Sequence, residues 1–215
     1  MAFIISNVSG QIQSALGSDL TITAITKANP AVVTVTNSLS DGDIVVLSGI
    51  QGMVQLNDMP ARVTSSSGTA ISLEGIDSTD FDAYVSGGVV NEVTTLLTYD
   101  NISSLNFADL QATKVDVTPI NSKTKVEING QDSAPTGSFD IFSDPLSATA
   151  VEMRKASSAK TDRVFVFTLN DQNTTIIANG EVSGGNGLSG GAGAVGSGGS
   201  VQLTLKHVQQ YLATT

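Results

Sequence analysis

Val201-Gln202-Leu203-Thr204-Leu205-Lys206-His207-Val208 alternates apolar and polar residues at Val201, Leu203 and Leu205 against Gln202, Thr204 and Lys206. A period of two marks a strand with one buried face. Working outward, Arg163 to Leu169 and Thr174 to Ala178 are apolar and β-branched, and Asp171-Gln172-Asn173 between them predicts a tight turn. Thr113 to Thr118 alternates, with Val115 and Val117 on one face and Lys114 and Asp116 on the other. Lys123 to Ile128 follows, and Asn129-Gly130 predicts a hairpin turn. Phe139 and Ile141 share a face of the next strand.

One helix interrupts this pattern. Asp144 is placed to cap it, Pro145 suits its first position, and Leu146, Ala150 and Met153 fall on one side as core residues. Lys155 and Lys160 suit the negative end of its dipole. Toward the N-terminus, Phe3 to Leu16 is mixed apolar and polar, and Gly17 to Asp19 closes it.

Leu20 to Asn91 reads as a separate block. Short β-branched runs recur at Thr21 to Ile25, Ala31 to Thr36, Ile44 to Leu47, Ala61 to Thr64 and Ala70 to Leu73. Turn signals separate them at Asn29-Pro30, Asp41-Gly42, Gly49 to Gly52, Ser65 to Gly68 and Gly87-Gly88. This spacing predicts a small β-barrel or sandwich. The expected organisation is a body of residues 1–19 and 92–215 carrying an inserted β-module at 20–91.

Composition narrows the function. The 215 residues carry a net charge of −10, and charged residues make up 14% against roughly 25% in ordinary soluble domains. The block 20–91 holds seven carboxylates against Lys27 and Arg62, a net of −5, and the rest of the chain holds the other −5. Such a chain does not grip nucleic acid, which needs clustered Lys and Arg. There is no cysteine, hence no disulfide or thiolate chemistry. The N-terminal Met1 to Ser6 lacks the basic region of a secretory signal, and no apolar run approaches the roughly 20 residues of a bilayer span. A soluble chain without an export signal is expected.

The order of strands and turns resembles a known family. Val115-Asp116-Val117-Thr118, Lys125 to Gly130, Gly137 to Ile141, the Asp144-Pro145-Leu146 helix start, Arg163 to Leu169 and Ile176 to Gly180 follow one another as in bacteriophage major tail tube proteins of the long non-contractile type. Val8 to Leu16 is similar to the start of such subunits. The block marked by Ile22 to Val33, Asp41-Gly42-Asp43, Gly49 to Met53, Leu73 to Asp77 and Val85 to Gly88 looks like a module often inserted in phage tail proteins.

The resemblance implies a mainly β fold, a tail-tube-like β-sandwich with one packed helix. It implies a virion structural protein, not an enzyme, made in the host cytoplasm and polymerising with itself as stacked hexameric rings into the tail tube. Tape measure, terminator and initiator proteins are the implied partners, and DNA passes through the lumen without specific binding. The rival readings are a β-rich fibre, adhesin or carbohydrate-binding module, and a hydrolase.

No residue is assigned a catalytic, cofactor-binding or metal-ligating role, and no cofactor is expected. Gly185 to Gly190 spells G-x-G-x-x-G, and so does Gly191 to Gly196, but neither has the preceding strand and following helix of a dinucleotide site. Gly184 to Gly199 therefore reads as a loop. Asp77, Asp80 and Asp82 crowd one turn without the spacing of a Ca²⁺ loop. His207 stands alone, with no nucleophile elbow before it, and is expected at a surface or interface. Arg154, Lys155, Lys160 and Arg163 form the one basic cluster, expected at a solvated helix end or against a neighbour's carboxylates.

Overall fold

β-Branched and aromatic residues recur at strand spacing along the chain, and strands are what they form. The computed structural model describes residues 7–99, 102–108, 112–142, 146–184 and 199–212. The fold is mainly β with one packed helix. In chain order the strands are β1 (Val8–Leu16), β2 (Leu20–Thr21), β3 (Ala24–Ile25), β4 (Val32–Thr34), β5 (Ile44–Gln51), β6 (Pro60–Ser67), β7 (Ala70–Leu73) and β8 (Ser86–Tyr99). They continue with β9 (Ile102–Ala108), β10 (Ala112–Asp116), β11 (Glu127–Asp132) and β12 (Thr136–Ile141). After the helix α1 (Ala148–Ala159) come β13 (Asp162–Leu169), β14 (Thr174–Gly184) and β15 (Ser200–Leu212).

One antiparallel sheet runs in the order β3-β4-β7-β6-β5-β8-β1-β13-β14-β15-β12-β9, with β2 added beside β8. Its spine is β8. The first part of that strand pairs with β5 through Ser86 to Glu92, and the second part pairs with β1 through Val93 to Tyr99. Residues 91 and 92 thus lie in the middle of a continuous strand.

Three hydrophobic clusters sit against this sheet. The strands β2 to β7 enclose the first, which includes Val33, Val45, Leu47, Met53, Leu56 and Leu73. The body curls into a half-barrel around the second, where Phe139, Phe165 and Phe167 are nearly or wholly inaccessible. Tyr99 stacks on Phe139 with ring centroids 5.4 Å apart, and Phe107 meets Phe167 edge-on at 5.5 Å. The third cluster, Val93, Val164, Val166, Ile177 and Tyr211, lies on the opposite face of β13 and β14. Hence Val164 to Phe167 are all buried, because β13 is covered on both faces.

The helix packs against β14, β8 and β1 through Ala150, Met153 and Ala156. Its cap is Ser147, whose Oγ accepts from the Ala150 N–H at 3.2 Å, and Lys160 closes it in the left-handed conformation. This corrects the expected start. Leu146 precedes the cap and is 85% exposed, so it is not a core residue, while Met153 is. Asp144 and Pro145 lie outside the described residues, as does most of the glycine-rich stretch with both G-x-G-x-x-G spellings.

The expected turn at Asn129-Gly130 is also corrected. Both residues are inside β11, with Asn129 opposite Lys114, and the chain reverses instead near Pro119, whose carbonyl accepts from the Ser122 N–H at 2.9 Å. Gly130 is used for close packing, since a Cβ there would lie 2.8 Å from Val115 Cγ2.

Two local features set the geometry of the body. Val164 lies one residue past the β1–β13 ladder, and its N–H donates 3.0 Å to the buried Gln13 Oε1. In β15, Leu205 opposes Gly180 and His207 opposes Asn179, so Lys206 is a bulged residue. The bulge shifts the alternation. Before it, Val201, Leu203 and Leu205 point into the half-barrel; after it, Val208 does so, and Tyr211 joins the third cluster. A Cβ on Gly180 would lie 2.3 Å from the Thr204 carbonyl oxygen, so only glycine fits opposite the bulge.

Two substitutions test this packing. Gly180→Val should lower stability by more than about 2 kcal/mol in a denaturant melt. Tyr99 is buried, its hydroxyl has no hydrogen-bond partner among the described residues, and burial pushes its pKa well up. Tyr99→Phe should therefore raise stability by about 1 kcal/mol, because it removes an unsatisfied polar atom and keeps the ring.

Candidate protein-docking site

The residues singled out in the sequence are scattered. Asp77 is exposed, accepts from Asn29 Nδ2 at 3.0 Å and from the Thr79 N–H and hydroxyl, and these bonds hold its carboxyl below the usual range. Asp80 and Asp82 are exposed, and Asp82 accepts from Gln55 Nε2 at 3.1 Å. Among the described residues, no group of three or more His, Cys, Asp or Glu is arranged to hold a metal ion. Arg163 and Lys155 both pair with Glu152 of their own chain, at 3.2 and 3.5 Å. Glu152 is buried on α1, so its pair with Arg163 ties the helix to β13, while Lys155 pairs with it within the helix.

His207 lies at a polar junction between β15 and the 57–62 segment. Asn179 Nδ2 donates 2.8 Å to the Asp58 carbonyl oxygen, and Lys206 Nζ bridges Asp58 Oδ2 at 2.9 Å and Asp162 Oδ2 at 2.7 Å. Arg62 is buried, forms a two-pronged pair with Glu74, and stacks its guanidinium 4.8 Å over the Tyr211 ring. The Arg62 N–H donates 3.4 Å to Tyr211 Oη. Burial raises the Tyr211 pKa to about 12, so it stays a phenol. Burial lowers the His207 pKa, partly offset by its hydrogen bond to the Asn57 backbone and by Asp58. The groups around His207 are thus committed to one another, and the junction locks orientation without presenting a reactive atom.

At the far side of the first cluster, the end of β5 meets the segment before β8. The Val85 N–H donates 2.9 Å to the Gln51 carbonyl oxygen, and Ser86 Oγ donates 3.0 Å to Gln51 Oε1. Gly52 has φ +90°, and a Cβ there would lie 2.1 Å from the Ala83 carbonyl oxygen. Asn57 clamps the same loop, accepting from the Ile50 N–H at 2.8 Å and donating to the Ile50 carbonyl oxygen at 2.9 Å. Tyr84 ties the other segment down through its hydroxyl, whose single proton is shared between the carbonyls of Ile22 and Gly87, at 3.2 and 3.0 Å. On this stiff edge Val54 is 56% and Val85 70% exposed, with Asp82 bonded beside them. Neither valine lies in a strand, since Val54 opens a short 3-10 turn and Val85 precedes β8, and no sequence signal marks these two as outward-facing.

The architecture defines a β-scaffold in which a closed module is laddered to a half-barrel. Residues 28–94 match the family described as Ubiquitin-activating enzyme E1 FCCH domain. Among similar proteins, Ubiquitin-activating enzyme E1 1 of Triticum aestivum is 38% identical over 77 residues, 34% of this chain and 7% of the relative. Ubiquitin-like modifier-activating enzyme 7 of Homo sapiens is 39% identical over 74 residues, 32% of this chain and 7% of the relative. The chain thus spans 7% of the length of the curated relatives it matches.

These matches correct the functional expectation. They point to a domain of ubiquitin-activating enzymes and away from a phage tail tube protein, and they give the adhesin and carbohydrate-binding alternative no support. With it go the hexameric tube, the tape measure, terminator and initiator partners, DNA in a lumen, and a place in the virion tail. The matched relatives are enzymes, so the expectation that the chain is not an enzyme is contradicted as well, although the match covers only one domain of those relatives. The physical reason is the generality of the pattern. Strand, turn and helix order follows from residue types shared by many β folds, whereas 38% identity over 77 residues rests on particular side chains.

The junction generates two expectations. Tyr211→Ala should cost about 3 kcal/mol, measured by denaturant unfolding, because it empties the third cluster and uncovers Arg62. His207 has its pKa lowered from 6.5, so the unfolded chain takes its proton at a higher pH than the folded one. Its contribution is complete above that ordinary value and is lost as pH falls from there through the lowered folded value. The drop in Tm on going from about pH 8 to about pH 5 should therefore be smaller in His207→Gln than in the unsubstituted protein.

Proposed function

We propose that the chain is a protein-docking scaffold. In this reading residues 20–91 are a module of the ubiquitin-activating-enzyme type, and residues 1–19 with 92–215 are its carrier. The module presents the Val54–Val85 edge to a protein of the ubiquitin class, the substrate class that the relatives' names carry. One observation carries the reading: the matched residues 28–94 supply all but Ile22 and Ile25 of the buried members of the first hydrophobic cluster, whose outer edge exposes two valines on a braced loop. Exposed aliphatic side chains on a stiff support bind at little ordering cost. The neighbouring Asp80 and Asp82 favour a partner with basic residues around an apolar centre.

Titration of the ¹⁵N-labelled chain with ubiquitin tests it. Amide shifts should move at Gly52, Val54, Gln55, Asp82 and Val85. Val54→Ser with Val85→Ser should weaken binding at least about tenfold, near 1.4 kcal/mol, without changing Tm. Unmoved spectra at about 1 mM ubiquitin would refute the reading.

A further inference from the structure

The β10–β11 ribbon stands apart from the rest of the fold. Its two strands pair with each other and with no other described strand. None of its residues belongs to the three clusters, and Val115, Val117, Ile120, Val126 and Ile128 are between 41% and 106% exposed. A two-stranded ribbon is marginal in water unless one face is covered.

A surface able to cover it lies at the ribbon's own base. The ladder between β12 and β15 runs from Asp140 opposite Ser200 to Thr136 opposite Thr204. One more bond follows, from the Leu205 N–H to the Pro135 carbonyl oxygen at 2.9 Å, and there the chain leaves the sheet. From His207 to Leu212, β15 keeps β14 on one side and has no described strand on the other. Beside this open edge runs an apolar groove. One part, about 480 Å³, is lined by Phe107, Pro135, Leu205 and Val208 among others. A second part, about 440 Å³, adds Leu105, Leu169 and Ile176 and shares Phe107 and Gln210 with the first.

We propose that the β10–β11 ribbon is a strap that closes on the open edge of β15, extending the β12–β15 ladder past Pro135 and covering the apolar groove. Three observations select this occupant. β11 enters β12 through residues 133–135, so a straight continuation of β12 carries β11 directly alongside β15. β11 is six residues long, close to the length of the open edge from His207 to Leu212. The aliphatic residues exposed on the ribbon then fall over the aliphatic and aromatic part of the groove's lining, while backbone groups of the edge that no described strand pairs gain partners. Opening the strap uncovers the groove and closing it seals the groove. This device is independent of the Val54–Val85 edge.

The chain has no cysteine, so introduced pairs report contact cleanly. Gln131→Cys would be combined in turn with Val208→Cys, Gln209→Cys and Gln210→Cys, a series that absorbs the one-residue offset introduced by the Lys206 bulge. Under mild oxidation at least one pair should close within a single chain at least about tenfold faster than a control of Gln131→Cys with Thr64→Cys on the module. In the cysteine-free chain, replacing residues 112–132 by a short glycine linker should speed amide exchange at His207 to Leu212 at least about tenfold. The strap is overturned if no pair outpaces the control, if bridges form only between two chains, or if removal of the ribbon leaves exchange at the β15 edge unchanged. Should the shortened chain not fold, the cysteine series decides alone.

Discussion

A single strand, β8, takes part in two ladders end to end, and the arrangement of everything else depends on it. Its first part closes the sheet over the module cluster, and its second part begins the half-barrel by pairing with β1. Rotation at this point would break consecutive backbone hydrogen bonds, so the joint behaves as a stiff rod. A flexible linker of the same length would leave the two cores free to tumble. The junction of Arg62, Glu74 and Tyr211, with Lys206 between Asp58 and Asp162, then removes the remaining twist.

That stiffness gives the braced edge its meaning. Gln51 to Gln55 and Asp82 to Ser86 are pressed together through a glycine that leaves no room for a side chain, and the two exposed valines stand on this braced surface. For the proposed docking role, such a surface would avoid most of the entropy that a mobile loop loses on binding. The family match at residues 28–94 spans the strands and turns that build this edge, and it ends just after β8 begins to pair with β1. All of the half-barrel beyond residue 94 lies outside the match, and so do the groove and the β15 edge that no described strand pairs.

The bulge at Lys206 is the second decisive detail. One extra residue turns Tyr211 toward Arg62 and Val208 toward the half-barrel, so a single strand serves both the junction and the groove. Without it the alternation begun at Val201 would carry Tyr211 into the half-barrel and leave Arg62 uncovered.

Much was legible in the residues themselves. Alternation located β15, the run Ala70–Leu73 is a strand with those same ends, and Asp171 to Asn173 turns as its composition predicts, with Asn173 in the left-handed region. Phe139 and Ile141 share a buried face, and Met153 is core. These features are local, fixed by period, branching and turn chemistry within a few residues. What tertiary structure decided involves partners far apart in the chain. Arg62 and Tyr211 are 149 residues apart, and Gly180 is required because the Thr204 carbonyl approaches from another strand. Asn129-Gly130 has the chemistry of a turn, yet it sits inside β11 because the chain reverses earlier, near Pro119, and Asn129 pairs with Lys114 across the ladder. The helix begins at Ser147, whose hydroxyl is the one that meets the Ala150 N–H. Val54 and Val85 have the same strand-forming preference as the valines of the core. Only the folded sheet, by ending beneath them, determines that they face outward.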